Sequence, residues 1–230
     1  MGQAIKVLSA GAVEGPLSAL IPEFERTSGH QVQMDFSTVG ALRERFVGGE
    51  NTDVIALSTV VLEVLEKEGR FVAGSRLEFG RASCGVAVRD GMLTPNISTP
   101  ELFKRALLNA GSVAATDPAQ GGSSGIYLVK LFERMGIADE MKGKMVLGKA
   151  GRDVGFAVLT GRAEIGITFT SEFVPIEGLR VVGSFPKEYE YVNGYGAAIA
   201  QGAAVEPARA LLAYLTSPAS KAQFAAYGLE

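Results

Sequence analysis

What most constrains this chain is a rhythm. A short apolar run, a turn of small or hydroxylated residues and an amphipathic helix follow one another along the whole sequence. Ile5-Lys6-Val7-Leu8 opens it, Ser9-Ala10-Gly11-Ala12 is the first turn, and Leu17, Leu20, Ile21 and Phe24 then recur at helical spacing. Glu23, Glu25 and Arg26 fill the polar positions between them, and Gly29 is placed to end the helix. The next unit repeats the pattern, with a strand over 32–36, a turn at Ser37-Thr38-Val39-Gly40 and a short helix over 41–47. A third strand over 53–57 passes through Ser58-Thr59 into a helix carrying Val61, Leu62 and Leu65. Such alternation predicts an α/β fold whose sheets are mainly parallel and flanked by helices.

Beyond Gly69 the basic stretch 70–81 reads as a loop, and 84–89 as the strand that opens a second group of elements. Helices are predicted near 99–109, 123–135 and 153–159, with strands over 113–116, 145–147 and 164–169. Strands over 181–185 and 194–200 and helices over 205–214 and 219–227 complete the chain. This order predicts two lobes, residues 1–84 plus 195–230 and residues 85–194, joined by two crossings that form a natural hinge around a ligand cleft. No internal repeat or low-complexity linker separates them.

A chain of 230 residues with 47% hydrophobic and 20% charged residues has enough apolar surface for a substantial core. Its net charge of −3 provides no broad positive field, which excludes nucleic acid and anionic lipid as expected partners. No apolar run approaches the roughly 18 to 20 residues of a spanning helix, so no membrane insertion is expected. Cys84 and His30 are the only residues of their kinds, so neither a disulfide framework nor a structural zinc site can be built, and no metal or other cofactor is expected. His30, in Thr27-Ser28-Gly29-His30-Gln31, has the surroundings of a surface turn residue. No secretory signal precedes the first strand. The protein is therefore expected to be periplasmic if a signal peptide has been removed, and cytoplasmic otherwise.

Chemistry concentrates in the strand-to-helix turns. They occur at Ala10-Gly11-Ala12, Ser37-Thr38-Val39-Gly40, Gly121-Gly122-Ser123-Ser124-Gly125 and Gly151-Arg152-Asp153. Small residues let a ligand approach the backbone, and the first N–H groups of each helix lack internal partners at the positive end of its dipole. Taken singly, any one of these turns is more often an ordinary helix cap of Ser, Thr, Asp or Gly than a ligand site. In open α/β sheets, however, all such turns gather at the carboxyl edge, where ligands bind. The glycine-rich run lacks the Gly-Lys-Ser/Thr ending of a phosphate loop and the Gly-x-Gly-x-x-Gly dinucleotide pattern, so a nucleotide has no support. Arg152 stands at a helix start, where a cation opposes the dipole. Either a carboxylate or oxyanion ligand explains it, or it is a solvated arginine beside the capping Asp153. Asp117, before Pro118, reads as a turn former. Glu14, Asp153, Glu172 and Tyr195 remain as candidates for acid or base work, and their spacing singles out none.

The chain resembles the molybdate-binding branch of the type II periplasmic solute-binding proteins. The likeness rests on Val7-Leu8-Ser9-Ala10-Gly11-Ala12, Phe24-Glu25-Arg26-Thr27-Ser28-Gly29-His30-Gln31-Val32, Thr52-Asp53-Val54, Ser124-Gly125-Ile126-Tyr127, Arg152-Asp153-Val154 and Ile165-Gly166-Ile167-Thr168-Phe169, and on the closing Leu215-Thr216-Ser217-Pro218 and Tyr227-Gly228-Leu229. This resemblance implies two α/β lobes closing on an oxyanion. It carries ligand contacts onto Ala12, Thr38 and Val39, Ser124, Val154 and Phe169, beside which the turns and their side chains offer Gly11, Ser123, Arg152, Asp153 and Thr170 as ligand-binding candidates. Ala12 stands where the family has a serine and Phe169 where it has a hydrogen-bonding tyrosine, so two side-chain donors are missing. Arg152 and the hydroxyls of Ser123, Ser124, Thr168 and Thr170 suit a larger carboxylated ligand instead.

The expected function is capture of a small anion, an oxyanion or a di- or tricarboxylate, for a membrane ABC transporter. The alternative is a cofactor-free isomerase like the family's aconitate isomerase-like relatives, moving a C=C bond by proton transfer in the same cleft. Arginine and helix N-termini would then stabilise the enolate-like charge, and no catalytic base is assigned. Binding without turnover takes precedence between the two.

Overall fold

The structure, a computed structural model, describes residues 3–230. Met1 and Gly2, at the start where no secretory signal is expected, lie outside the described residues. In chain order the strands are β1 Ala4–Ala10, β2 Gln31–Ser37, β3 Val54–Ser58, β4 Leu77–Arg89, β5 Val113–Thr116, β6 Met145–Gly148, β7 Ile165–Phe169, β8 Leu179–Ser184 and β9 Val192–Ile199. The α-helices are α1 Glu14–Ser28, α2 Val39–Val47, α3 Thr59–Lys67, α4 Pro100–Asn109, α5 Ser123–Met135, α6 Ala138–Lys142, α7 Gly151–Leu159, α8 Thr170–Phe173, α9 Val205–Leu215 and α10 Pro218–Ala226. The chain divides into two compact units, Met1–Ala82 with Asn193–Glu230, and Ser83–Val192. It is an α/β protein of two units.

In the first unit β2, β1 and β3 are parallel neighbours, and β9 joins β3 antiparallel. Register places Ala10 opposite Ser37 and Ser9 opposite Ala56, so the three parallel strands end together. Helix α1 lies over this sheet through Leu17, Leu20, Ile21 and Phe24, all buried, and ends at Gly29 with φ of 73°, a left-handed cap that costs glycine little. His30 has a structural job. Its ring Nδ1 accepts the Gln3 N–H at 3.1 Å, and the ring stacks on Phe24 with centroids 6.3 Å apart.

In the second unit β6, β5 and β7 are parallel neighbours, β4 joins β7 antiparallel, and β8 pairs with β4. Both units thus combine a parallel trio with antiparallel strands. Thr116 pairs with Gly148, and Ala115 with Ile167, so the carboxyl ends of β5, β6 and β7 are also level. Helix α7 packs on this sheet through a core of small residues, Ala87, Ala114, Ala157 and Ala163, with Val154, Val158 and the fully buried Phe173.

Two differences from the sequence expectation have clear causes. The stretch expected as a loop over 70–81 contains the start of β4, because Leu77 and its neighbours are fixed by tertiary pairing. Arg81 exchanges backbone hydrogen bonds with Glu230 at 2.6 and 2.9 Å, and Gly196 approaches the Leu77 carbonyl so closely that a Cβ there would lie 2.1 Å from its oxygen. The short helices α6 and α8 are too brief to show a helical period.

Candidate functional site

The turns at the carboxyl edges of the two sheets carry the candidate residues, and each set belongs to its own unit. In the first unit a single 3-10 turn, Gly11–Val13, leads from β1 into α1. Its N-cap is Ala10, which has no side-chain acceptor. Ala12 is buried and Gly11 half-buried. At the neighbouring turn Thr38 is a conventional cap, its Oγ1 accepting the Ala41 N–H at 3.3 Å, and Val39 begins α2. Capping thus employs the Thr38 hydroxyl, whereas the turn at Ala12 has no side-chain cap from its N-cap residue.

The second unit is richer. Helix α5 opens at Gly122 and α7 at Ala150, and neither residue offers a side-chain acceptor to the first turn. Asp153 supplies half of a capping box, its Oδ2 accepting the Ala150 N–H at 3.1 Å. Val154 points its side chain into the core, which leaves only its backbone for a ligand. Arg152, exposed on the first turn of α7, holds its guanidinium carbon 5.5 Å from the centre of the Phe156 ring. Ser123 is half-buried at the first position of α5. Phe169 is buried with its ring 5.9 Å from that of Tyr191, which stacks at 4.3 Å on Tyr127. Thr170 opens α8 with its methyl against Gly85, where a Cβ would lie 2.6 Å away.

Ser124 is drawn into a chain of hydroxyls. Its Oγ lies 2.8 Å from Thr116 Oγ1 and 3.2 Å from Thr168 Oγ1. Thr116 Oγ1 also accepts the Gly125 N–H at 2.9 Å, and Thr168 donates to Glu172 Oε2. The Glu172 carboxylate rests on the backbone at the start of α7: a methyl on Gly151 would lie 2.0 Å from the carboxylate carbon. Glycine at this position is what lets the carboxylate reach the positive end of the helix. Of the four acid or base candidates, Glu172 is thus tied to the hydroxyl chain, while Asp153 serves α7 as a cap. Thr116 was not foreseen; a threonine ending a strand carries no mark of what it will face. Asp117 caps the following turn through the Ala119 N–H at 2.9 Å, the turn role its sequence suggested.

Cys84, on β4, is buried, and burial pushes its thiol well above the usual range, with the Glu172 carboxylate adding to the shift. A thiol so held stays protonated and unreactive. Ellman's reagent is expected to find no thiol in the folded protein at pH 8 and the single cysteine once guanidinium unfolds it. Rapid reaction in the folded state would contradict the burial. Among the described residues, no group of three or more His, Cys, Asp or Glu side chains is placed to hold a metal ion.

The protein is similar along nearly its whole length to two curated proteins and to one solved structure. It is 33% identical over 222 residues to the aconitate isomerase of a Pseudomonas species, covering 93% of this chain and 82% of that protein. It is 26% identical over 230 residues to the molybdate-binding protein ModA of Azotobacter vinelandii, covering 97% and 88%. The solved structure of the Azotobacter vinelandii periplasmic molybdate-binding protein superimposes with a TM-score of 0.79 at 19% identity, covering 98% of each chain. The family model described as bacterial extracellular solute-binding protein matches residues 5–230, and with these geometries and relatives the chain belongs to that family.

Proposed function

We propose that this protein captures a small carboxylated anion, a di- or tricarboxylate rather than a simple oxyanion, and delivers it outside the cytoplasm to a membrane ABC transporter. The observation that carries this is the set of helix starts at the carboxyl edges of both sheets whose N-cap residues, Ala10, Gly122 and Ala150, offer no side-chain acceptor, one of them bearing Arg152. Backbone N–H groups in such turns bind anions without needing a side chain, and a guanidinium adds the bidentate geometry that suits a carboxylate. The proposed ligand contacts are Gly11, Ala12, Thr38 and Val39 in the first unit. Those in the second are Ser123, Ser124, Arg152, Asp153, Val154, Phe169 and Thr170. No helix among the described residues is long and apolar enough to cross a membrane, so a separate transporter subunit would carry the solute across.

A thermal-shift and calorimetric screen of oxyanions, dicarboxylates and tricarboxylates tests this, because a ligand that binds only the folded state raises the melting temperature. At least one carboxylate is expected to bind, and Arg152→Ala to weaken it by about 10- to 100-fold, the worth of one charge-assisted pair. A screen in which no anion shifts the melting point removes the proposal.

A second function is favoured by one specific observation, the 33% identity to an aconitate isomerase over 93% of this chain. In this case the bound tricarboxylate would lose an allylic proton to a base and regain one at the far carbon, while helix N-termini and Arg152 hold the delocalised charge. Incubation with cis- and trans-aconitate in deuterated buffer, followed by NMR, decides between capture and turnover. Isomerisation with deuterium incorporation establishes the enzyme; unchanged spectra at high protein concentration leave capture alone.

A further inference from the structure

The direction of the protons in the hydroxyl chain bears on which anions the second unit accepts. A hydroxyl has one proton to give. Thr168 gives its proton to the Glu172 carboxylate, so in the contact between Ser124 and Thr168 the donor is Ser124. Ser124 is then the acceptor in its contact with Thr116, and Thr116 is left with a lone pair for the Gly125 N–H. Every donor from the first turn of α5 onward points towards Glu172. The Ser124 proton, which a bound anion would need, is turned inward.

Glu172 acts a second time at α7. Its carboxylate lies over Gly151, at the positive end of the helix that an incoming anion would otherwise approach. Arg152 and Asp153 share that turn, and Cys84 on β4 is close enough to register the carboxylate's charge. A compact dianion such as molybdate or sulfate concentrates two charges in one small sphere, and here it would meet a fixed negative charge and a reversed hydroxyl. A di- or tricarboxylate spreads its charges over several carbon–carbon bonds, so it can present an uncharged segment to Glu172 and place its carboxylates elsewhere.

We infer that Glu172 is the residue that sets ligand class, an internal anion that excludes compact tetrahedral oxyanions from the second unit while tolerating separated carboxylates. This inference rests on the proposed capture of anions. It predicts that neutralising the carboxylate reverses the chain. In Glu172→Gln the amide N–H donates to Thr168, Thr168 donates to Ser124, and the Ser124 proton becomes available to a ligand.

The test is calorimetry with sodium molybdate, sodium sulfate, tricarballylate and the two aconitates on the wild type, Glu172→Gln and Thr168→Val. The threonine variant is nearly isosteric and breaks the chain one link before the carboxylate, with circular dichroism confirming that each variant folds. The wild type is expected to bind a carboxylate and neither oxyanion at submillimolar concentration, and folded Glu172→Gln to gain affinity for molybdate or sulfate by about tenfold or more, whereas Thr168→Val, which keeps the carboxylate, gains less. Tight molybdate binding by the wild type overturns the inference whatever the variants do. So does a folded Glu172→Gln with no gain. The carboxylate titrations report on capture itself: if the wild type binds no anion of either class, both the capture proposal and the inference fall. If it binds a carboxylate while folded Glu172→Gln stays blind to oxyanions, the inference alone falls.

Discussion

Gly125→Ala is expected to cost this protein at least about 3 kcal/mol, or to prevent the second unit from folding, although alanine is the better helix former. Gly125 is buried in the first turn of α5, and a methyl there would lie 2.0 Å from the Thr116 carbonyl oxygen and 2.9 Å from both the Thr116 carbonyl carbon and Oγ1. Two of these atoms belong to the backbone of β5, which is paired on both sides and cannot yield. The helix would have to lift from the strand, giving up the Gly125 N–H bond to Thr116 and the Thr116 contact with Ser124. Gly143 is the matched control. A Cβ there meets nothing within 4 Å, its φ of −78° suits any residue, and it is exposed, so Gly143→Ala is expected to change stability by less than about 0.5 kcal/mol. Because the chain has no tryptophan, urea unfolding is best followed by far-ultraviolet circular dichroism. Equal midpoints for the two variants would show that α5 does not sit on β5 as described.

The same glycine shows where sequence reasoning succeeded and where it stopped. Gly121-Gly122-Ser123-Ser124-Gly125 was recognisable as a strand-to-helix turn, and the helix it opens runs over Ser123–Met135 as its apolar spacing predicts. What the glycines are for was not recognisable. Gly121 takes the left-handed conformation with φ of 70°, and Gly122 and Gly125 make room for Thr116, so packing explains three small residues that looked like an invitation to a ligand. Short apolar runs and alternation also located β1, β2, β3, β5 and β7, because a fully or half-buried strand writes its burial into the sequence. The hydroxyl chain is different in kind. Ser124 and Thr168 stand 44 residues apart, and Glu172 reaches Thr168 from a four-residue helix that has no period of its own. Polar contacts made through tertiary structure leave no local trace. For this reason Glu172 stood among the acid and base candidates with nothing to set it above Glu14 or Tyr195.

Phe173→Ala tests the packing that holds this arrangement in place. Phe173 is 1% exposed and follows Glu172 on α8, with its ring in the core formed by Ala87, Ala114, Val154, Ala157, Val158 and Ala163. Most of these neighbours are alanines without a rotamer to adjust. Gly166 on β7 lies beneath the ring, where a Cβ would sit 3.3 Å from it. A cavity opened here cannot be filled by local collapse, so the loss should fall at the upper end for such truncations, about 4 to 5 kcal/mol by urea unfolding. Phe173→Leu keeps most of the volume and should lose only about 1 to 1.5 kcal/mol. The two variants also separate packing from recognition. Leucine keeps α8 seated against α7, so the Glu172 carboxylate stays over Gly151 and the preference for carboxylates over oxyanions should survive. In the alanine variant α8 is released, and any protein that still folds should lose that preference together with its stability. A loss below about 1 kcal/mol for Phe173→Ala would mean that this ring does not anchor the second unit, and that Glu172 is held by its hydrogen bonds alone.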